Sequence, residues 1–259
     1  MHTSADSERH TCAVSQTRTA TELIARLDAE ADPAEAGFLQ RFFKTGPGEY
    51  GEGDRFIGVG VPVIRRIIRE FTDLPVAEIE LALRRPVHEH RLAALLLMVV
   101  QYPKSDPTGR EALYGLYRRA LQAGLINNWD LVDSSAEYII GPWLADSDRS
   151  EFGRLATSES LWDRRVAMMA PFHYLKAGEA STTLVIAEQL LGDDHDLIRK
   201  AVGWMLRETG KRVDRQLLLD FLDRRVAAMS ATTLSYATEH LDPAARAHYR
   251  RLRRGDKHQ

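Results

Sequence analysis

A tryptophan and an aspartate four residues apart are the first pair in this sequence whose types and spacing indicate chemistry. Trp129 and Asp133 share one face of a helix predicted from Trp129 to Ile140, because residues at i and i+4 are neighbours on a helix surface. Asn128 is a good N-cap and Asp130 offsets the helix dipole, so local structure explains both. Asp133 lies past the first turn and caps nothing. It is either a solvated surface charge or a carboxylate held beside an aromatic ring for catalysis.

A second stripe combines cations with a tryptophan on a helix predicted over residues 194–209. Lys200, Trp204, Arg207 and Lys211 recur at i, i+4, i+7 and i+11, which places them on one face. Lys and Arg are rarely buried without a partner, so this face meets solvent or a binding partner. The stripe suits a polyanion with flat bases, since cations contact phosphates and the ring stacks or binds a cation. A solvated face with one exposed tryptophan explains the pattern equally well.

The helix predicted over residues 161–176 lies between these two and offers Arg165 in the same register. A guanidinium matches the geometry of phosphate oxygens, so we expect Arg165 to bind a phosphate. Two aromatic rings, Trp129 and Trp204, would then flank the single carboxylate of Asp133, with cations beyond them.

The net charge does not indicate a nucleic-acid partner, because the whole chain has a formal charge of only −2. The C-terminal part is more basic, with 17 Lys and Arg against 13 Asp and Glu from Ser160 onward. Arg246, Arg250 and Arg253 form one stripe on a helix predicted from Pro243 to Arg254. This stripe is either a further phosphate contact or the face of a solvated terminal helix.

Helices must position these residues, because alternating β-branched patterns are nearly absent and the sequence predicts an all-α fold. An aromatic or imidazole side chain followed by an acid recurs at predicted helix starts, at His88, Trp129, Trp162 and His195, with spacings of 41, 33 and 33 residues. This period predicts a curved α-solenoid of HEAT-like antiparallel helix pairs with one concave binding face. The remaining predicted helices are 21–31, 33–44, 63–71, 75–84, 87–101, 107–122, 180–190, 213–222 and 231–239.

Composition bounds the class of protein. An apolar content of 44% and a charged content of 28% are ordinary for a soluble globular chain. We expect a disordered tail over residues 1–19 and a single HEAT-like domain over 20–259. The lone Cys12, the lack of an apolar signal-peptide centre and the lack of a long apolar run favour a cytoplasmic protein with no membrane partner.

Other motifs of catalytic interest are missing or weak. The Gly-rich segment 45–58 carries Glu49, Glu52 and Asp54, which would repel phosphate, so we interpret it as a structural loop. The histidines lack zinc-ligand spacing, and no Gly-x-Ser-x-Gly elbow is present. We therefore expect no metal and no cofactor.

Four stretches together resemble the AlkD-type family of DNA alkylation-repair proteins, over about residues 38–225. They are Arg41-Phe42-Phe43-Lys44, Asn128-Trp129-Asp130-Leu131-Val132-Asp133, Leu161-Trp162-Asp163-Arg164-Arg165-Val166-Ala167 and Lys200-Ala201-Val202-Gly203-Trp204-Met205-Leu206-Arg207-Glu208. Any one stretch alone would be weak. One position departs from the pattern, since Phe42 lacks the hydroxyl of the tyrosine that some members have there.

The resemblance implies a DNA glycosylase that removes cationic N3- and N7-alkylated purines, such as 3-methyladenine and 7-methylguanine, from duplex DNA without obligatory base extrusion. It assigns the catalytic carboxylate to Asp133, its aromatic partners to Trp129 and Trp204, and DNA contacts to Arg165 and Arg207. The stripe adds Lys200 and Lys211 as DNA contacts. We expect such a protein to act as a monomer, associated with the nucleoid when bound to DNA.

Three alternatives remain open from the residues. One is a self-resistance glycosylase that acts on bulky adducts of a DNA-alkylating natural product. A second is a non-catalytic HEAT-like module that binds bent or branched DNA. A third is a protein-interaction scaffold, against which the stripe from Lys200 to Lys211 argues.

Overall fold

The computed structural model describes residues 18–255, and there the chain is helical apart from loops and one isolated β-bridge between Arg55 and Val87. The all-α class is therefore confirmed. The predicted disordered tail lies outside the described residues except at its end, where Thr19 forms a capping box for the first helix. The helices are α1 Ala20–Asp28, α2 Pro33–Gln40, α3 Val61–Ile68, α4 Val76–Leu83, α5 His88–Gln101, α6 Pro107–Gln122, α7 Trp129–Asp133, α8 Ala136–Ala145, α9 Ser150–Ala156, α10 Leu161–Met169, α11 Phe172–Lys176, α12 Ser181–Gln189, α13 Asp196–Arg212, α14 Arg215–Arg225, α15 Ala231–Ala237 and α16 Pro243–Arg254.

The helices stack in the order that a solenoid requires. One layer runs from α5 through α7, α10 and α13 to α15, each in contact with the next. A second layer contains α4, α6, α9 and α12, which pack against α5, α8, α10 and α13 respectively. Each repeat thus contacts mainly its neighbours, and the predicted solenoid-like architecture is confirmed. No helix within residues 18–255 has the length and apolar content needed to cross a membrane.

Small residues let the helices of the inner layer approach closely. A Cβ atom at Gly203 would lie 2.5 Å from the Thr233 carbonyl oxygen and 2.6 Å from the Tyr236 Cβ. Gly203 is therefore required where α13 meets α15. The apolar face of α13 is buried as its periodicity predicted, with Ile198 and Met205 both at 0% exposure.

Two helices predicted as continuous are interrupted in the structure. The predicted helix from Trp129 to Ile140 ends at Asp133, because the Ser135 hydroxyl donates to the Leu131 carbonyl at 2.5 Å and competes with the helical pattern. The helix predicted over 161–176 breaks before Pro171, which has no N–H to donate and would clash with the preceding turn of a continued helix. The first break leaves Asp133 at the end of α7, not in the middle of a long helix.

The Gly-rich segment is fastened to α5. The buried Glu89 carboxylate accepts hydrogen bonds from the backbone N–H groups of Ile57, Gly58 and Val59, at 2.9–3.4 Å for Oε1. Gly58 has φ of 83°, a left-handed conformation that favours glycine. These contacts fit the interpretation of 45–58 as a structural loop.

Candidate functional site

A cleft of about 990 Å³ is lined by α7, α10, α13 and α15 together with residues 41–50. It brings together most of the residues that the sequence singled out. Those at its wall are Trp129, Asp133, Arg165, Lys200 and Trp204. The predicted contacts Arg207 and Lys211 are not among the lining residues.

An ion pair between Asp133 and Arg165 lies at the centre of the site. Arg165 Nε donates to Asp133 Oδ1 at 2.9 Å, and Arg165 Nη2 donates to Oδ2 at 2.7 Å. The Asp133 side chain keeps 28% exposure in the cleft, while that of Arg165 keeps 8%. Burial raises the pKa of Asp133, and the charge and hydrogen bonds of Arg165 oppose that rise. The bidentate geometry fixes the plane of the carboxylate.

The same geometry changes the interpretation of Arg165. Its remaining nitrogen, Nη1, donates to the Leu197 carbonyl oxygen of α13 at 2.7 Å. All three guanidinium nitrogens are therefore engaged inside the protein, and the residue is only 6% exposed. Arg165 positions Asp133 and joins α7 to α13 through α10. Its predicted phosphate contact stays a prediction.

Trp129 begins α7 and is backed by another aromatic ring. Phe43 stacks on the Trp129 indole with ring centroids 5.2 Å apart and an interplanar angle of 21°. Phe56 also stacks on Phe43, with ring centroids 4.9 Å apart, and on His88 at 4.6 Å. One face of the half-buried indole is thus covered, so its orientation is set by a column of rings.

A buried polar cluster supports α7 beneath this column. His88 lies between Asp54, 3.2 Å from Nδ1, and Asp130, 2.7 Å from Nε2. Arg91 and Asn128 also donate to Asp54. Asp130 lies in the first turn of α7, as its interpretation as a charge that offsets the helix dipole requires, and it is also the partner of a buried histidine.

Mutual attraction decides the charge states in this cluster. Burial lowers the pKa of His88, but its hydrogen bonds and charge interactions with Asp130 and Asp54 outweigh burial and raise the pKa to about 9. Burial raises the pKa of Asp54, yet His88, Arg91 and Asn128 bring it down to about 2. The cluster is thus a charged, hydrogen-bonded unit at neutral pH.

Trp204 forms the other aromatic wall. Phe172 packs against its indole at 4.8 Å with a tilt of 45°. Arg207 lies beside the same ring, 5.8 Å from its centroid, and pairs with Glu208 at 3.1 Å and with Glu239. The guanidinium that was predicted to contact DNA is therefore paired with two carboxylates within the protein.

Of the other two predicted DNA-contacting cations, one is paired with a carboxylate and one is not. Lys200 lines the cleft and pairs with Asp196 at 2.7 Å, although both side chains remain substantially exposed. Lys211 is exposed and has no ion-pair partner among residues 18–255. An exposed ion pair such as Lys200–Asp196 is weak, so Lys200 can exchange Asp196 for a phosphate.

Several cleft residues were not assigned a role from the sequence. Arg41 and Lys44 line the rim, are exposed, and form no ion pair within the described residues. Glu137 also lines the cleft, where Lys176 Nζ lies 2.7 Å from its Oε1. The segment from Arg41 to Lys44 places two phenylalanines between two cations, and this combination of cations and aromatics, also present in the α13 stripe, was a usable signal.

The arrangement suits a cationic, ring-bearing ligand. An oriented carboxylate lies beside one tryptophan and near a second, in a cleft that excludes part of the solvent. Carboxylates stabilise developing positive charge, and indole faces attract cations. Among residues 18–255 no group of three His, Cys, Asp or Glu side chains is placed to hold a metal.

Fold and site together define a helical solenoid with an aromatic and acidic cleft. A family model described as "DNA alkylation repair enzyme" matches residues 23–241, so the chain belongs to that family. A solved structure described as a predicted DNA alkylation repair enzyme from Enterococcus faecalis aligns with a TM-score of 0.65 and 17% sequence identity, over 82% of this chain and 97% of that one. No curated protein matches the sequence. The protein is an enzyme of DNA repair, and the family indicates DNA as its partner.

Proposed function

We propose that the protein is a DNA glycosylase that hydrolyses the N-glycosidic bond of cationic N3- and N7-alkylated purines in duplex DNA. The observation that carries the proposal is the Asp133 carboxylate, held by both of its oxygens on Arg165 in a cleft walled by Trp129 and Trp204. Membership of a DNA alkylation repair family supports DNA as the substrate of this site.

The chemistry follows from the charge of the lesion. Alkylation at N3 or N7 makes the purine cationic, so the C1′–N9 bond breaks with its electron pair going to the base, which leaves neutral. Positive charge then develops on the deoxyribose as an oxocarbenium ion. Asp133 stabilises that charge, and water adds to C1′ and gives up a proton. Burial raises the pKa of Asp133 and so makes this carboxylate a better proton acceptor.

The two tryptophans contribute in the same direction. An indole face attracts the cationic base or sugar by about 0.5–2 kcal/mol when the contact is desolvated. Because Phe43 and Phe172 hold the two rings, little reorganisation is needed at the moment of bond cleavage. Arg41, Lys44 and Lys200 supply cations for the phosphate backbone. The open cleft suits a damaged base that stays stacked in the DNA duplex.

The test is release of 7-methylguanine from methylated duplex DNA by the purified protein, with products identified by mass. We expect Asp133→Asn to lower the single-turnover rate by at least about 100-fold while duplex binding is retained. Asp194→Asn is the matched control, because Asp194 is a fully exposed acid near the same cleft.

Several outcomes would change the proposal. Full activity of Asp133→Asn would move the catalytic carboxylate elsewhere. Release of bulky adducts only would favour a self-resistance glycosylase. Tight binding of bent or branched DNA, with no base released from any substrate, would favour a non-catalytic binding module.

A further inference from the structure

Several basic side chains in and near the cleft already have a carboxylate partner within the protein. Arg165, Lys176, Lys200 and Arg207 each pair with a carboxylate. Binding of DNA by phosphate neutralisation needs cations that are not already committed. Arg41 and Lys44 at the cleft rim are unpaired within residues 18–255, and a larger group of unpaired cations lies elsewhere in the fold.

They are concentrated on α16, which carries five arginines and no acid between Pro243 and Arg254. None of the five forms an ion pair with another residue in the range 18–255. The arginines are Arg246, Arg250, Arg251, Arg253 and Arg254. The helix dipole favours cations in the last turn, which accounts for the last three but not for Arg246 or Arg250.

The helix is firmly docked, so its cations are presented on a fixed surface. The Tyr249 hydroxyl donates to Asp223 of α14 at 2.9 Å, and the Asp242 side chain caps the first turn. Tyr249 is buried, and Leu252 packs against the core. The side of α16 that carries Arg250 and Arg254 is exposed and is not used for docking.

This element lies outside the part of the chain that matches the family. The match ends at residue 241, and α16 begins at Pro243. Its cationic face therefore lies beyond the residues on which the family assignment rests.

We propose that α16 is a second DNA-binding surface, which contacts the phosphate backbone of duplex DNA beyond the cleft and without sequence preference. The proposal rests on the proposed function only in taking duplex DNA as the partner. Polyanion binding by unpaired arginines on one helical face requires no base contact and no catalysis.

The position of α16 sets the length of DNA that it can reach. Neighbouring helices are spaced by about 8–10 Å, and three such steps lead from α10 through α13 and α14 to α16, which the Tyr249–Asp223 hydrogen bond joins to α14. The distance is on the order of 25–30 Å, which corresponds to roughly eight base pairs at about 3.4 Å each. A short duplex that fills the cleft would not reach α16.

The experiment compares two variants that remove the same charge. Arg250→Gln/Arg254→Gln removes two exposed arginines four residues apart on α16. Arg65→Gln/Arg69→Gln removes two exposed and unpaired arginines at the same spacing on and after α3. Affinity for unmodified duplexes of roughly 10 and 30 base pairs is measured against salt concentration, so that catalysis plays no part.

For the α16 variant we expect the slope of log affinity against log salt on the longer duplex to become shallower by about 2, with affinity reduced roughly tenfold. Binding of the shorter duplex and the rate of 7-methylguanine release from it should be unchanged. The α3 variant should behave as the parent protein on both duplexes.

The proposal is overturned if the two variants lose the same affinity, which would indicate bulk charge, or if neither changes the salt slope. It also fails if the α16 variant keeps its DNA affinity but loses binding to phosphatidylserine vesicles. Because the readout is binding of unmodified DNA, a chain without glycosylase activity would leave this result intact.

Discussion

The two tryptophans of the cleft are held in different ways. Trp129 rests on a stacked column of rings above a buried charged cluster, in which Asp54 and Arg91 are 7% and 4% exposed. Trp204 rests on one tilted ring and on a network whose outer member, Glu239, has a side chain 54% exposed. Charge pairs buried on all sides are sensitive to loss of a partner, whereas exposed ones are not.

The difference shows where the site needs rigidity. Trp129 and Asp133 lie on the same short helix, so anything that fixes the start of α7 also fixes the carboxylate. A five-residue helix has little stability of its own, and tertiary contacts must supply it. Trp204 lies in the middle of the longer α13, whose own packing positions the ring.

The largest effect is expected from Asp54→Asn. This change leaves Arg91 and protonated His88 buried without their shared carboxylate, which should lower the free energy of unfolding by about 3–5 kcal/mol. Urea denaturation followed by circular dichroism measures the change.

Glu239→Gln is the comparison at the other end of the cleft. It removes one exposed partner of Arg207, which keeps Glu208, so the loss should stay below about 1 kcal/mol. Equal losses for the two variants would mean that the two ends of the cleft are supported alike.

The sequence predicts the elements of this fold better than their interruptions. The helices 107–122 and 243–254 begin and end as predicted, because an aspartate N-cap followed by proline marks each start. The break at Ser135 was missed, since a serine hydroxyl that competes for a backbone carbonyl leaves no periodic signal.

For the site, too, the sequence predicts some features and misses others. Trp129, Asp133, Arg165 and Trp204 recur in register on successive repeats, so the sequence groups them and the cleft contains them. The partner of Arg165 could not be read from spacing, because Asp133 is 32 positions away and pairing depends on how repeats stack. The cluster around Asp54 and Asp130 was missed for the same reason.

A further prediction concerns the pH dependence of stability. The pKa of His88 is about 9 in the folded protein, against about 6.5 when unfolded, so the folded state holds one more proton between these values. Stability contributed by His88 is complete below pH 6.5 and declines as pH rises towards 9. We expect the parent protein to lose up to about tenfold in its folding equilibrium constant per pH unit in this window.

His88→Gln removes the titrating group and should flatten that dependence. Urea midpoints measured at intervals from pH 6 to pH 9.5 provide the test. An identical slope in the variant would assign the alkaline loss of stability to another group.

The smallest effect is expected from the rings behind the two tryptophans. Phe43→Leu keeps an apolar side chain but loses a near-parallel stack on Trp129, an interaction worth about 0.5–1.5 kcal/mol, so the single-turnover rate of base release should fall by roughly 2–10-fold. Phe172→Leu loses only a tilted contact with Trp204 and should change the rate less. Affinity for unmodified duplex should stay the same in both, because neither ring carries a charge for the backbone. A larger rate loss in Phe172→Leu would reverse the comparison and identify the α13 side as the end where orientation limits the chemistry.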